Sequence, residues 1–305
     1  MAIVTNALVQ KLFIGFRKNF QDGLEVAESE YKKIATVVPS TTAQNIYAWL
    51  GHFPQMREWV GSRVIKSMKE NGYAIRNKPY ETTVGIPQSS IEDDTVGVYS
   101  PVFTEAGRAA AVYPDEHIFL LLKDGENALC YDGQNFFDNE HPVAANTDGT
   151  GAISLTSNII DDPAYSGPAW YLMDTSRALK PLIFQERIKP DIRIKNNVDN
   201  SDHLFMEDEV LTGVRARSAV GFGFWQMAIK VKAELNSENY QAACKMLEEM
   251  QADGLRPLSF KASLIVVPPA LKTAAKRVVK MEFISGSSNP NYNEADILST
   301  AWVRE

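Results

Sequence analysis

The stretch SPVFTEAGRAAAVYPDEHIFLLLK, residues 100–123, predicts a long helix. Ser100 suits the N-cap, and Pro101 suits the first helical position, where a missing N–H costs nothing. Apolar side chains then recur at spacings of three and four until Gly125 ends the pattern. Pro114 removes one backbone hydrogen bond, so we expect a bend or a short break in the turn before it. At about 1.5 Å per residue the element spans roughly 33 Å, which suits a structural backbone.

A second amphipathic helix is predicted near the N-terminus. Its apolar residues fall at four-residue spacing, with basic side chains on the opposite side; they are Leu8, Leu12, Phe16 and Phe20. No preceding element offers this apolar face a partner. We therefore expect it to pack on a distant part of the fold or on another subunit.

The segment 57–86 is polar and basic. Its basic residues outnumber its acidic ones; they are Arg57, Arg63, Lys66, Lys69, Arg76 and Lys78. Residues alternate between apolar and polar from Tyr73 to Ile86, which is strand periodicity, and Glu70-Asn71-Gly72 is a turn signal. The pattern predicts a long polar hairpin. Because an isolated two-stranded ribbon is marginal in water, it needs support, either from its own domain or from something external.

The second half of the chain mixes strand and helix signals. Apolar runs typical of strands occur at Trp170–Met173, Leu182–Gln185, Val210–Ala216 and Leu264–Val267. One helix is predicted with Ser237 as its N-cap, and another follows Pro268-Pro269. A helix, a buried strand and a second helix in close succession indicate a compact α/β unit within a chain of α+β class.

Composition excludes several classes of protein. The 305 residues are 45% hydrophobic and 23% charged, which describes a globular chain rather than a disordered one. A net charge of −7 argues against a protein that grips nucleic acid through its surface charge. Two cysteines cannot form a disulfide framework, which indicates a reducing compartment. The longest clearly apolar stretch, Ile118–Leu122, is too short to cross a bilayer.

Candidate chemical sites are weak. Cys130 and His141 are the residue types of a nucleophile and its base, but their spacing matches no mechanism. Carboxylates and imidazoles that could hold a metal lack the spacing of a known site; they are His203 with Glu207 and Asp208, and Asp161-Asp162. Gly221-Phe222-Gly223 lacks the third glycine of a dinucleotide loop. The sequence therefore predicts no catalytic residue, no cofactor and no metal.

Many short motifs, in order along nearly the whole chain, resemble the major head subunit of Mu-like tailed phages. They are 34–42 IATVVPSTT, 47–51 YAWLG, 57–61 REWVG, 91–94 IEDD, 129–133 LCYDG, 136–138 FFD, 141–142 HP, 170–176 WYLMDTS, 180–184 KPLIF, 221–225 GFGFW and 266–269 VVPP. No single motif is diagnostic. Their number and order carry the resemblance.

The resemblance implies the tailed-phage major capsid protein fold of the Hong Kong ninety-seven type. The implied parts are an N-terminal arm and lead-in (1–56), an extended loop (57–86), a mainly peripheral domain with the spine helix 100–123 (87–236), an axial domain (237–283) and a C-terminal return strand (284–305). The strands of 170–216 and the segment 295–303 are expected in the peripheral sheet.

The implied function is structural. Copies form hexamers and pentamers of an icosahedral head, which encloses the phage double-stranded DNA without sequence-specific binding. Assembly takes place in the host bacterial cytoplasm. A scaffold protein, a maturation protease and a portal protein are implied as partners, and decoration or minor capsid proteins are further candidates.

Two sets of residues are expected at contacts between subunits. The loop residues Arg63, Lys66, Lys69, Arg76 and Lys78 are expected to face carboxylates on the neighbour, and the arm residues Leu8, Leu12, Phe16 and Phe20 form the second set. Two alternatives stay open. One is an encapsulin-like shell, which encloses proteins instead of DNA; the other is a hydrolase that uses Cys130 and His141.

Overall fold

The computed structural model of the chain describes residues 5–51, 53, 72–93, 96–194, 202–284 and 286–304. Within these ranges the α-helices are α1 (Asn6–Val26), α2 (Tyr31–Ile34), α3 (Gln88–Glu92), α4 (Ser100–Lys123), α5 (Asp202–Glu207), α6 (Ser237–Glu248) and α7 (Lys272–Val279). The strands are β1 (Ala35–Pro39), β2 (Gln44–Ile46), β3 (Ala74–Arg76), β4 (Lys78–Pro87), β5 (His141–Ala144), β6 (Ile153–Thr156), β7 (Ile159–Asp161), β8 (Trp170–Met173), β9 (Leu182–Ile194), β10 (Glu209–Phe222), β11 (Ala228–Lys232), β12 (Gln251–Ala252), β13 (Arg256–Pro257), β14 (Leu264–Val267), β15 (Phe283–Ile284), β16 (Ser287–Ser288) and β17 (Asp296–Ser299).

A four-stranded sheet, in the order β1-β9-β10-β4, forms one half of the fold. The long strands β9 and β10 pair antiparallel, with a register irregularity between Arg215 and Ser218. β4 pairs antiparallel with β10, and β1 pairs parallel with β9. Helix α4 packs against this sheet, and α1 packs against α4. The sheet is one layer of this half of the molecule, and the helices packed on it form the other.

A five-stranded sheet, in the order β17-β14-β8-β11-β7, forms the other half. Every residue of β8 and of β14 is buried, because both strands are interior and lie beneath α6 and α7. The sequence of such a strand is a continuous run of apolar residues, without the alternation of apolar and polar residues found in half-buried strands. This explains why the sequence predicts both strands with their observed bounds.

The long helix predicted at 100–123 is confirmed, with two differences in detail. Ser100 is the first helical residue, and Tyr99 takes the N-cap position. The helix continues through Pro114, which is buried, so no break occurs there. Packing against α1 and the sheet outweighs the one hydrogen bond that the proline removes. The predicted start of α6 is shifted similarly, because Asn236 and not Ser237 caps that helix, accepting from the Asn239 N–H at 2.9 Å.

The predicted grouping of strands is wrong for 170–173 and 295–303. β8 pairs antiparallel with both β11 and β14, and β17 pairs parallel with β14. These strands therefore share a sheet with the α6–α7 unit and not with β9 and β10. Pairing partners are fixed by long-range packing, which apolar periodicity does not encode.

The predicted hairpin of 57–86 is described only from residue 72 onward. There the chain forms β3, which pairs with β2, and β4, which pairs with β10 along its whole length. The described half of the hairpin is thus supported by its own domain, which is the first of the two kinds of support predicted from the sequence. Residues 57–71, with the predicted turn at Glu70 and Asn71, lie outside the described residues.

In the described ranges no helix is long and apolar enough to cross a membrane.

Candidate functional site

The apolar face of α1 is covered by the chain's own spine helix. Phe16 is stacked on Phe103 of α4 with ring centroids 4.2 Å apart, and both Phe16 and Phe20 are buried. Leu8 and Leu12 are partly buried against the same cluster. The apolar face of α1 therefore packs on a distant part of its own fold, which is the first of the two possibilities predicted from the sequence. Of the four predicted arm residues, Leu8 and Leu12 keep surface for a neighbouring subunit.

The crossing of α1 and α4 is unusually close. A Cβ on Gly107 would lie 2.0 Å from the backbone oxygen of Phe20, and one on Gly23 would lie 1.9 Å from that of Thr104. Glycine is therefore required at both positions for the two backbones to meet. This contact fixes the arm helix on the spine.

Of the predicted basic loop residues, the structure describes Arg76 and Lys78. Both side chains are exposed, and neither forms an ion pair within the described part of the chain. Arg63, Lys66 and Lys69 lie outside the described residues. The two described cations, which we call the base of the predicted extended loop, are thus exposed without an acidic partner among the residues that the structure describes.

A buried polar network anchors this base. Asn77, which lies between the two cations, donates from Nδ2 to Ser40 Oγ at 2.9 Å and accepts from Gln185 Nε2 at 2.8 Å. Tyr47 donates its hydroxyl to Gln185 Oε1 at 2.8 Å, and burial raises the pKa of Tyr47 to about 12. Since each buried polar group has a partner, the network holds β2, β3 and β9 together. Sequence reasoning missed it, because its members are far apart in the chain.

A second polar network was also missed. Asp115 on α4 accepts from the backbone N–H groups of Tyr31 at 2.6 Å and of Glu30 at 2.9 Å, which caps the start of α2. Burial raises the pKa of this carboxyl, although the two N–H donors oppose the shift. Asp115 therefore ties the spine helix to the segment that leads into β1.

Cys130 and His141, the candidate nucleophile and base, do lie close together. Asp132 joins them: it accepts from the Cys130 thiol at 3.0 Å, and its other oxygen is 2.7 Å from His141 Nδ1. His141 is fully buried and stacked on Trp225, with centroids 3.9 Å apart. Burial, followed by the charge of Asp132, raises the pKa of the Cys130 thiol far above its usual range. A buried, protonated thiol is a poor nucleophile, so the cluster is a packing and hydrogen-bonding unit.

The same three side chains form the one group of potential metal ligands gathered among the described residues. Cys130 Sγ, both Asp132 oxygens and His141 Nδ1 are already used in hydrogen bonds within the group, whereas the buried His141 Nε2 has no partner in the described part of the chain. The pKa of Asp132 is lowered because the bonds from His141 and Cys130 outweigh the opposing effect of burial. The other candidates do not form such a group: Asp161, Asp162, Glu207 and Asp208 are exposed.

The Gly221–Gly223 pair is explained by packing. A Cβ on Gly221 would lie 2.2 Å from Ile75 Cδ1, and one on Gly223 would lie 2.7 Å from the carbonyl oxygen of Lys180. Both glycines allow β10 and its exit to pass close to neighbouring chain segments. They do not open a helix, as a dinucleotide loop would.

One known protein and chains of two solved JBD30 capsid structures resemble this chain along most of its length. The major capsid protein of Escherichia phage Mu is 49% identical over 292 residues, which cover 96% of this chain and 95% of that protein. A chain of the procapsid of bacteriophage JBD30 has a TM-score of 0.88 at 50% identity, covering 98% of this chain and 100% of its own length. A chain of the JBD30 capsid decorated with minor capsid protein trimers has a TM-score of 0.76 at 36% identity, with 99% and 100% covered.

These similarities confirm the fold and the resemblance inferred from the sequence motifs. All three relatives are phage capsid proteins, so neither the protein-filled compartment nor the Cys130–His141 hydrolase finds support. The profile of the Mu-like prophage major head subunit gpT matches residues 9–303. The chain therefore belongs to the Mu-like prophage major head subunit gpT family.

Proposed function

We propose that copies of this chain assemble into pentamers and hexamers, and that these close into an icosahedral head around double-stranded phage DNA. The chain is a structural capsid protein of the virion, not an enzyme. The observation that carries the proposal is the match to a procapsid chain over 98% of the sequence at a TM-score of 0.88. Subunits of one shape and half-identical sequence are expected to form the same kind of lattice.

The extended loop and the arm supply the proposed contacts between subunits. Arg76 and Lys78 are exposed and lack acidic partners in the described chain, which leaves them available to carboxylates of a neighbour. Arg63, Lys66 and Lys69 extend the same basic segment in sequence. Exposed ion pairs contribute up to about 1 kcal/mol each, so such contacts are individually reversible and collectively strong. Leu8 and Leu12 add a small apolar contribution from the arm.

Further partners are part of the proposal. We expect a scaffold protein and a maturation protease during assembly, and a portal protein at one vertex. The JBD30 capsid carries minor capsid protein trimers. By analogy, the outer surface of this shell is expected to accept a decorating or minor capsid protein. Assembly is expected in the host bacterial cytoplasm.

The proposed function is tested by expressing the chain alone and together with its scaffold. Negative-stain electron microscopy should then reveal closed shells of uniform diameter. Particles from phage-producing cells should contain DNA that nuclease cannot reach. A chain that remains a monomer under every assembly condition would overturn the proposal, and particles filled with protein instead of DNA would favour the compartment alternative.

A further inference from the structure

A cation-lined cavity of about 870 Å³ opens where α7 meets the starts of β14 and β17. Its charged lining consists of Lys33, Lys180, Lys276, Lys280 and Asp296. The lining holds four positive charges and one negative charge, and Glu30 beside it pairs with Lys33, so a surplus of two remains in a chain whose net charge is −7. A concave surface with charges of one sign concentrates ligands of the opposite sign. The cavity is therefore built to receive an anion.

Two of the four lysines are already paired. Lys33 Nζ lies 2.8 Å from Glu30 Oε1, and Lys280 Nζ lies 3.1 Å from Asp296 Oδ1. Lys180 and Lys276 have no carboxylate partner among the residues that the structure describes. Lys180 donates to the backbone carbonyl of Lys32 instead, and burial lowers the pKa of its ammonium group. An incoming carboxylate would offset this desolvation.

An acidic turn lies at the opposite edge of the same sheet. The residue before β7, Asn158, donates its backbone N–H to the carbonyl of Asp138 at 3.1 Å and accepts the Asp138 N–H with Oδ1 at 2.9 Å. The segment Asp138–Glu140 is thereby fixed at the start of β7. Glu140 is exposed, and no cation pairs with it within the described ranges.

The strand directions place this turn and the cavity at the same end of the sheet. β7 runs parallel to β11, β17 runs parallel to β14, and both β11 and β14 are antiparallel to β8. β7, β11, β14 and β17 therefore all start at one end. β7 and β17 are the two outer strands. A contact that brings the β7 edge of one copy to the β17 edge of the next is head-to-tail, and repetition of such a contact forms a ring when the rotation between copies closes.

We propose that the acidic turn Asp138–Glu140 of one copy inserts into the cation-lined cavity of the next copy in the assembled shell. The inference rests on the proposed shell function. A second copy is favoured as the occupant because the chain carries 38 acidic against 31 basic residues and presents an exposed acidic turn at the matching end of the sheet. DNA fits the cavity less well, because a duplex with a persistence length of about 50 nm is far less able than a three-residue turn to enter a concavity of about 870 Å³.

The test is a charge swap between the two surfaces. Lys276→Glu and Glu140→Lys should each lower the yield of particles at least tenfold, as measured by gradient sedimentation and electron microscopy of the chain co-expressed with its scaffold. The double variant, which carries both changes, should recover most of the yield because every contact then pairs the swapped charges. Lys180→Glu should act like Lys276→Glu.

Matched controls separate this contact from general effects of charge. Lys272→Glu alters an exposed lysine on the same helix outside the cavity, and Glu249→Lys alters an exposed acid outside the turn. Both should assemble as the unaltered chain does. Circular dichroism and the unfolding midpoint of the unassembled variants should match those of the unaltered chain.

Three results would overturn the inference. The first is a normal particle yield from the Lys276→Glu and Glu140→Lys variants, and the second is failure of the double variant to recover. The third is a normal yield combined with tenfold weaker binding of a short DNA duplex by Lys276→Glu, which would assign the cavity to phosphate. Absence of particles from the unaltered chain would instead overturn the proposed function, and this inference with it.

Discussion

At the scale of single residues, one carboxylate lies beside a buried lysine. Glu126, in the short 3-10 helix that follows α4, lies 2.9 Å from Lys230 Nζ and 2.7 Å from Lys232 Nζ. Only 6% of the Lys230 side chain is exposed. Loss of one partner of a buried pair leaves an uncompensated charge, which costs more than the pair contributes.

We expect Glu126→Gln to lower the free energy of unfolding by about 3 kcal/mol at neutral pH, since the buried Lys230 ammonium then loses the carboxylate that lies 2.9 Å away. Adding Lys230→Met should recover most of the loss, because Phe137 and Tyr171 already flank that side chain. Urea unfolding of the unassembled chain measures both changes. Equal stability of the single variant and the unaltered chain would contradict the prediction.

The pH dependence of the same pair has a definite sign. Burial alone would raise the pKa of Glu126, but the bonds from Lys232 and Lys230 outweigh it and lower the pKa below 4.5. Stability from a lowered carboxyl pKa is present above the ordinary pKa and is lost as the pH falls through the folded value. Urea unfolding below pH 4.5 should therefore show an acid-induced loss that is smaller in Glu126→Gln.

The Cys130 thiol offers a separate prediction at this scale. It is buried and donates to Asp132, and its pKa is raised far above the usual range, mainly by burial. In the native chain it should react with iodoacetamide at least tenfold more slowly than in the urea-unfolded chain, because little thiolate forms. Cys130→Ser should keep the donor and yield normal particles. Fast alkylation of the native thiol would restore the hydrolase alternative.

At the scale of elements, apolar runs bounded by turn residues are what the sequence predicts best. β8 and β14 are confirmed residue for residue, and so is α4, because interior strands and a long apolar helix face carry a dense local signal. The partners of these elements could not be predicted. Gly107 packs on Phe20 from a separate helix, and nothing near either residue in the sequence reveals that contact.

The candidate site could be predicted only in part, for similar reasons. Cys130 and His141 are noticeable as residue types, but the carboxylate of Asp132 that joins them is visible only once the turn is folded. The cation-lined cavity gathers lysines from α2, α7 and the segment before β9. Local sequence contains no trace of such an assembly of distant residues. The positive charge of the cavity becomes visible only after the fold has brought these lysines together.

The α1–α4 crossing yields two glycine predictions of opposite sign. Gly107→Ala should lower the free energy of unfolding by about 1–3 kcal/mol, because its Cβ would meet the Phe20 backbone oxygen at 2.0 Å. Gly15→Ala, on the exposed side of α1 with nothing within 4 Å, should raise it by about 0.5–1 kcal/mol through helix propensity. Thermal and urea unfolding of the two variants measure the difference. Equal effects would mean that the two helices do not cross at Gly107.

At the scale of the whole molecule, the exposed base of the extended loop should control assembly without controlling folding. Arg76 and Lys78 are exposed and lie on either side of the buried Asn77. Arg76→Glu with Lys78→Glu should leave the unfolding midpoint unchanged, since no described ion pair is lost. If each cation contributes about 1 kcal/mol to a contact with a neighbour, two losses weaken every contact roughly thirtyfold.

Salt provides the second readout of this prediction. The Debye length, beyond which exposed charges are largely screened from each other, is about 10 Å at 0.1 M and about 3 Å at 1 M ionic strength. The reversed variant should therefore yield far fewer particles than the unaltered chain at low salt, and the gap should narrow at high salt. Lys261→Glu, an exposed lysine outside the loop, is the matched control and should assemble normally. A variant that assembles as well as the unaltered chain at low salt would show that Arg76 and Lys78 do not join subunits through charge, and the contact would then have to come from Arg63, Lys66 and Lys69 or from the apolar arm.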